Sequence, residues 1–493
     1  MIGREKELEL LNSFCEEPKS KLIVIHGRRR IGKTYLVDYM FQNHRTDCLF
    51  FKFTGSANQD SQVQKDYFVE AIYDWFKIEP TKPINKWHEA FIFLKRSIEN
   101  EIKEKNHQKK VIVFIDEVAW IDRHNKAGFL SAFGHFYNTY IEKNNNLIVI
   151  LCGSNASWIK NKILKDSSGP LYHRVDAEIP LFPFNLKETK EYLIKEKRFD
   201  IDNKSVIDIY MILGGVAKYL SYLDSKLSIA QNINNLFFSL HSPLYTEFES
   251  LFKSLFYDRA SNHRKIMDIL ISKQNGLMIS ELENLIKEIK PFTLKSNIDE
   301  LIDTGFIKPI KRFAHTSKNT RYIVCDPFCN FYNKWVKELS KNDIASLIDY
   351  FEIKSTSHDY IIWQGFAFEM VCISNIQLYL KARGLSAAIK SIGYWEYLAQ
   401  SENDTGSQID IIIEYIGNTY DIVECKYYND EFSIDKSYAK NLQNKKDKFI
   451  NYGIKNKKFD LKVVMLTTYG TKINQYYNQV PIAKNLSLED IFS

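Results

Sequence analysis

The chain has 493 residues, 45% hydrophobic and 26% charged, with 19 Gly and 11 Pro, which excludes disordered and collagen-like chains and predicts roughly two to four folded domains. Its net charge of +6, from 67 basic and 61 acidic residues, permits contact with nucleic acid without demanding it. Seven cysteines, mostly inside apolar segments, predict reduced thiols in a cytoplasmic protein; with no signal-peptide core and no apolar run near the ~18 residues of a membrane span, no membrane partner is expected.

In residues 1–185, short β-branched runs alternate with amphipathic helical patterns. The runs are KLIVIH at 21–26, CLFFKFTG at 48–55, KVIVFIDE at 110–117, LIVILCGS at 147–154 and VDAEIPL at 175–181. Continuous apolar strands separated by helices predict an α/β domain with a parallel sheet covered on both faces. Residues 186–245 read as helical, a small lid. Over 246–345 three amphipathic helices precede two strands, IKPIKRF and TRYIVCDP, with Gly305 capping the third helix; this is the winged-helix order. Cys325 and Cys329 lie in this stretch, but no second pair or His cluster follows at zinc spacing.

Residues 346–493 open with the helix DYIIWQGFAFEMVCISNIQLYLKA and continue into QIDIIIEYIGNTYDIVECKYY, two alternating runs around Gly417-Asn418. That pair predicts a hairpin, followed by a Lys-rich helix and a last strand, LKVVMLTTY.

The segment GRRRIGKT occupies 27–34 between a predicted strand and a predicted helix. Gly27 and Gly32 let the backbone of Arg28, Arg29, Arg30 and Ile31 wrap so that successive N–H groups face phosphate oxygens. Lys33 then reaches the β- and γ-phosphates of ATP, and the Thr34 hydroxyl ligates Mg²⁺. Downstream, VIVFIDE ends a buried strand in Asp116 and Glu117. One acid serves the metal and the next the attacking water, the layout of a hydrolysing enzyme. Ser154 or Asn155, after the next strand, is placed to touch the γ-phosphate or that water.

With these motifs the chain resembles the archaeal-type P-loop ATPases related to the AAA+ and STAND proteins. They carry an N-terminal GRE box, here IGREKELELL, and the resemblance implies that Ile2, Gly3 and Arg4 lie near the adenine. It also implies that Arg174 is a γ-phosphate sensor or an arginine finger, the latter requiring an oligomer; pairing with Asp176 is the alternative. The lid motif appears as GGVAKYL at 214–220, with Ala217 in place of the usual Pro.

In the C-terminal runs Glu424 and Lys426 share a strand face; if Asp410 shares it, two carboxylates and an ammonium converge. Two carboxylates can hold Mg²⁺ with open water positions, and a lysine can orient the water for attack on a phosphodiester. This resembles the PD-(D/E)-x-K nuclease signature of restriction-endonuclease-like domains, in which the preceding helix, here through Glu369, often adds a metal ligand. No Pro precedes Asp410, and a solvated hairpin edge is the alternative. In the winged helix, Thr293, Lys295 and Ser296 of the third helix and Lys308, Lys311 and Arg312 of the wing are the candidates to meet DNA, opposed by Asp299, Glu300 and Asp303. The expected function is an ATPase coupling nucleotide state to a nuclease-like, DNA-directed domain. The alternatives are a nucleotide-switched signalling or scaffold protein with an inactive C-terminal domain, and a DNA-loading ATPase that recruits another enzyme.

Overall fold

A computed structural model describes residues 1–104, 110–122, 128–313, 319–346, 349–402, 404–455 and 458–493. The chain divides into two compact units, Met1–Pro183 and Phe184–Ser493. In the first, β1 (Lys21–His26), β2 (Leu49–Thr54), β3 (Val111–Asp116), β4 (Leu147–Gly153) and β5 (Ala177–Pro180) form a sheet in the order β2-β3-β4-β1-β5. Every pairing is parallel, as the apolar runs predict. Alternate residues serve two separate cores. Leu22, Val24, Val113, Ile115, Val149 and Leu151 enter one, with the helices Ser61–Phe76 and Trp87–Glu104. Ile23, Ile25, Ile112, Phe114, Ile148 and Ile150 enter the other, with the helices Glu5–Glu16 and Lys33–Asp38. The inner strands β1, β3 and β4 lack polar alternation because both of their faces are covered.

One acid is trapped in this unit. Asp122, just past the short helix Val118–Ile121, is 3% exposed. Burial pushes its carboxyl up from 3.8 to about 6, and the Phe129 N–H draws it part of the way back. The folded protein therefore keeps a proton that the unfolded chain releases. Stability falls as pH rises from about 4 to 6, and the full loss applies above the folded value. Asp122→Asn keeps an oxygen for Phe129 and should flatten that slope. Urea unfolding at pH 8 should show a gain of roughly 1–3 kcal/mol, with little change at pH 4.

In the second unit residues 184–245 are helical, including Leu186–Lys195, Asn203–Leu213 and Ala217–Ser221. The helices Ala260–Ser272, Ile279–Leu285 and Pro291–Asp303 follow in the predicted order. A two-residue β6 (Leu277–Met278) joins β7 (Ile307–Lys311) and β8 (Thr320–Val324) in a sheet ordered β6-β8-β7. Gly305, with φ 77°, turns the chain from helix into β7. The remainder holds β9 (Ile389–Tyr397), β10 (Ser407–Tyr415), β11 (Thr419–Lys426), β12 (Phe432–Ser433), β13 (Asp460–Thr467), β14 (Thr471–Lys472) and β15 (Ile482–Leu486). Five of them form a mixed sheet, β15-β13-β11-β10-β9. The β10–β11 turn is the hairpin expected, with Gly417 and Asn418 both at positive φ.

Two expectations need correction here. LKVVMLTTY is not the last strand, because β15 follows and pairs in parallel with β13. β9 also precedes the hairpin, so β10 and β11 are interior strands and the solvated-edge alternative falls away. The largest hydrophobic core runs from Phe184 to Ile491, shared by the segments expected as lid, three-helix section and C-terminal domain, with two smaller clusters beside it. Among the described residues no single helix is long and apolar enough to cross a membrane.

Candidate nucleotide site and C-terminal acid cluster

The loops after β1, β3 and β4 leave the same carboxyl edge of the parallel sheet, where α/β folds bind ligands. After β1 the chain turns at Gly27, φ 152°, where a Cβ would sit 2.2 Å from the Leu181 carbonyl oxygen. Only glycine fits that approach. Arg30 (φ 70°) and Gly32 (φ 94°) complete the wrap, and the helix Lys33–Asp38 begins directly behind them. Ile31 is buried and anchors the loop in the core. Arg28 is buried as well, whereas the Arg29 guanidinium lies 5.6 Å from the Trp120 ring centroid.

The Lys33 ammonium donates to the carbonyls of Gly27 and Arg28, both at 2.9 Å, and to Ser154 Oγ at 3.1 Å. The ammonium therefore lies against the carbonyls of its own loop. Thr34 Oγ1 donates to Asp116 Oδ2 at 2.6 Å, so the hydroxyl and the carboxylate expected to share Mg²⁺ already meet. This donor pair fits a hard, oxygen-seeking cation. Glu117 takes the left-handed conformation, φ 49°, uncommon for a residue with a side chain and the kind of strain found at functional sites. Its carboxylate accepts from Ser154 Oγ at 2.5 Å and from the Ser154 N–H at 3.2 Å. Ser154 thus joins Lys33 to Glu117, while Asn155 is spent capping a helix through the Trp158 N–H.

Arg4 is 4% exposed and donates to the carbonyls of Gly3, Ile31 and Phe182, clamping the chain's start to the phosphate loop. Arg174 is not paired with Asp176 in the way the alternative required. Its guanidinium contacts Asn138 and lies 5.5 Å from the Tyr137 ring centroid, while Asp176 accepts the Leu22 N–H at 2.7 Å.

In the second unit the alternation of β11 separates its acids. Asp421 and Val423 face the helices His358–Ser374 and Ile376–Arg383. Tyr420 and Ile422 face the helix Lys436–Tyr452, as does Glu424. Glu424 is 5% exposed, and both its oxygens are taken: Lys445 Nζ donates to Oε1 at 2.6 Å and Tyr438 OH to Oε2 at 2.9 Å. Lys426 Nζ lies 5.1 Å from the Tyr438 ring centroid. Asp410 sits at an irregularity of β10 and accepts from Gln408 Nε2 at 2.6 Å. It lines a cleft with Glu369, Met370 and Arg321. Burial pushes the Glu369 carboxyl up to about 8, helped by the charges of Asp410 and Glu424 and opposed by Lys426 and Lys445.

Glu369, Asp410, Glu424 and Lys426 are therefore electrostatic neighbours. They are not arranged as a ready metal site: Lys445 and Tyr438 are bonded to Glu424, and Gln408 to Asp410. Among the described residues no three acid, His or Cys side chains gather as a cation site. Lys445 and Tyr438 were not singled out from the sequence. The available signal was a lysine on the stripe of Tyr438, Leu442 and Phe449, at positions where this helix buries its face.

Two of the three wing candidates are used inside the chain. Lys308 Nζ donates to the Ile373 carbonyl at 3.2 Å, and Arg312 Nη2 to the Glu396 carbonyl at 2.8 Å. Lys311 is exposed, as are Lys295 and Asp299 on the third helix, with Thr293 and Ser296 half-buried. Glu300 faces inward, held by Arg259 at 2.6 Å and His263 at 3.0 Å.

Comparison with known proteins adds to this geometry. Residues 1–223 match the model of a family described as an ATPase domain predominantly from Archaea. The uncharacterized protein MJECL04 of Methanocaldococcus jannaschii is 27% identical over 416 residues, covering 83% of each chain. The uncharacterized ATP-binding protein MJ0423 of the same organism is 41% identical over 44 residues, covering 9% of this chain and 75% of its own. Among solved structures, the Walker-type ATPase PABY2304 of Pyrococcus abyssi matches at TM-score 0.46 and 18% identity, covering 68% of this chain and 96% of its own. The ORC2 protein of Aeropyrum pernix, solved with ADPNP and ADP, matches at TM-score 0.42 and 14% identity, covering 72% and 96%. The family match and the geometry of Gly27–Thr34 agree: residues 1–223 are similar to the ATPase domain of that archaeal family.

Proposed function

We propose that this ATPase binds ATP through Gly27–Thr34 and hydrolyses it at Glu117, and that nucleotide state controls a nuclease-like, DNA-directed site in the second unit. The observation that carries the first half is the continuous chain Thr34–Asp116 and Lys33–Ser154–Glu117 at the sheet's carboxyl edge. Mg²⁺, when bound with ATP, neutralises charge on the transferring phosphoryl group. Lys33 holds the phosphate end of the nucleotide, Thr34 and Asp116 hold the cation, and Glu117 orients water. The Arg28–Arg30 backbone supplies N–H groups, and Arg4 fixes the loop. Arg174 serves as γ-phosphate sensor or, in an oligomer, as arginine finger.

For the second half, residues 186–245 act as lid, 246–345 as winged helix and 346–493 as a PD-(D/E)-x-K nuclease-like domain. Asp410 and Glu424 would hold a divalent cation there, with Glu369 in support and Lys426 orienting water toward a phosphodiester. The support is the mutual electrostatic reach of these four groups on interior strands and the adjoining helix. A second reading, a nucleotide-switched scaffold whose C-terminal site does not cut, is favoured by the lysine and tyrosine bonded to Glu424 and by the intrachain use of Lys308 and Arg312.

The two readings part on one experiment. Lys426→Ala should lose Mg²⁺-dependent cleavage of DNA while ATP turnover, which is assigned to other residues, is retained. A wild-type protein that turns over ATP yet leaves single- and double-stranded DNA and RNA intact selects the scaffold reading.

A further inference from the structure

Glu424 is the one acid of the C-terminal cluster with a lysine set directly on its carboxylate. The helix Lys436–Tyr452 carries five lysines, at 436, 440, 445, 446 and 448. Lys445 is the one bonded to Glu424, at 2.6 Å, with only 15% of its side chain exposed. Its place is set by the helix period. Tyr438, Leu442, Lys445 and Phe449 recur at steps of four, three and four, one stripe facing the sheet. Leu442 and Phe449 are buried in the same stripe, so Lys445 is held on the sheet-facing side of the helix. Tyr438 takes the second oxygen of Glu424. The charge of Lys445 is also felt at Glu369.

We propose that Lys445 is an internal counter-ion that occupies the Glu424 carboxylate and keeps a divalent cation off it until the lysine is displaced. The inference rests on reading Asp410 and Glu424 as a cation site. A divalent ion draws on carboxylate lone pairs at about 2.0–2.6 Å. The ammonium holds one Glu424 oxygen and the tyrosine hydroxyl the other, so the cation competes with a tethered positive charge already in place. Lys426, two residues on and over the Tyr438 ring, is left for substrate or water. The site is thereby quiet by default, and whatever shifts the Lys436–Tyr452 helix opens it.

The test is Mn²⁺ binding to the full chain without nucleotide, by calorimetry and by loss of the free-ion electron paramagnetic resonance signal. Glu424→Gln identifies the part of the binding that belongs to this site. Lys445→Gln should tighten the Glu424-dependent Mn²⁺ binding roughly tenfold or more, since removing one partner leaves a buried carboxylate without its counter-charge. Lys445→Arg keeps charge and bulk and should bind like wild type. Unchanged or weaker binding in Lys445→Gln, with Lys445→Arg folded and wild-type-like, overturns the counter-ion role alone. Absence of any Glu424-dependent Mn²⁺ binding in wild type, Lys445→Gln and Lys445→Arg overturns the cation-site reading, and the inference with it.

Discussion

Glu117→Gln should leave ATP bound and nearly unspent. Nucleotide binding by filter retention or fluorescence should stay near wild type, while steady-state phosphate release falls roughly 10²- to 10⁴-fold, the range supplied by a positioned acid–base group. The amide keeps the volume and an oxygen for the Ser154 hydroxyl, which is 2.5 Å from Glu117 Oε1. It loses the charge that orients and polarises water. Lys33→Ala should behave differently. It removes the ammonium bonded at present to the Gly27 and Arg28 carbonyls and to Ser154, so binding and turnover should be lost together. Equal losses of binding in the two variants would deny Glu117 a role confined to the chemical step. Retained turnover in Lys33→Ala would remove the phosphate-loop assignment.

That contrast was legible in the sequence because the phosphate loop is a local device: glycine spacing, a strand before it and a helix after it fix its backbone. What sequence did not yield is the wiring between loops. Ser154 was one of two polar residues after β4, and only the fold shows that it bridges Lys33 and Glu117 while Asn155 caps a helix. The second unit was read in the right order and with incomplete pairing. β9 carries Gly393 in its interior, and glycine weakens a strand pattern. The fold gives the glycine a reason: a Cβ there would sit 2.4 Å from the Lys311 carbonyl oxygen, where the end of β7 crosses the sheet edge. Phe313 N–H then donates to the Tyr394 carbonyl at 2.7 Å, so the edge strand is covered by the segment read as a DNA-facing wing. Long-range contacts of this kind, made by residues some eighty positions apart, leave no periodic trace.

The largest stability effect should come from an acid that local reading passes over. Asp421→Ala should destabilise the Phe184–Ser493 unit by ~3–5 kcal/mol, the loss expected when one partner of a buried ion pair is removed. Asp421 is fully buried on β11, three residues before Glu424, and strand alternation sends the two to opposite faces. Its Oδ2 accepts from Tyr379 OH, Tyr415 OH and Arg383 Nε, each at 2.9 Å, and Oδ1 accepts from Arg383 Nη2 at 3.1 Å. Alanine leaves a guanidinium and two hydroxyls stranded in the core between the sheet and the helix Ile376–Arg383. Asp421→Asn keeps one acceptor but turns an amide donor toward Arg383, so its loss should be smaller yet clear of ordinary surface effects of about 0.5 kcal/mol. Calorimetry should show the transition of the second unit moving down, with ATP binding by Met1–Pro183 retained at temperatures below it. A variant of Asp421 that melts like wild type would mean that Arg383 finds other partners, and the cluster would then lose its standing as the pin that fixes the Glu424 strand in register.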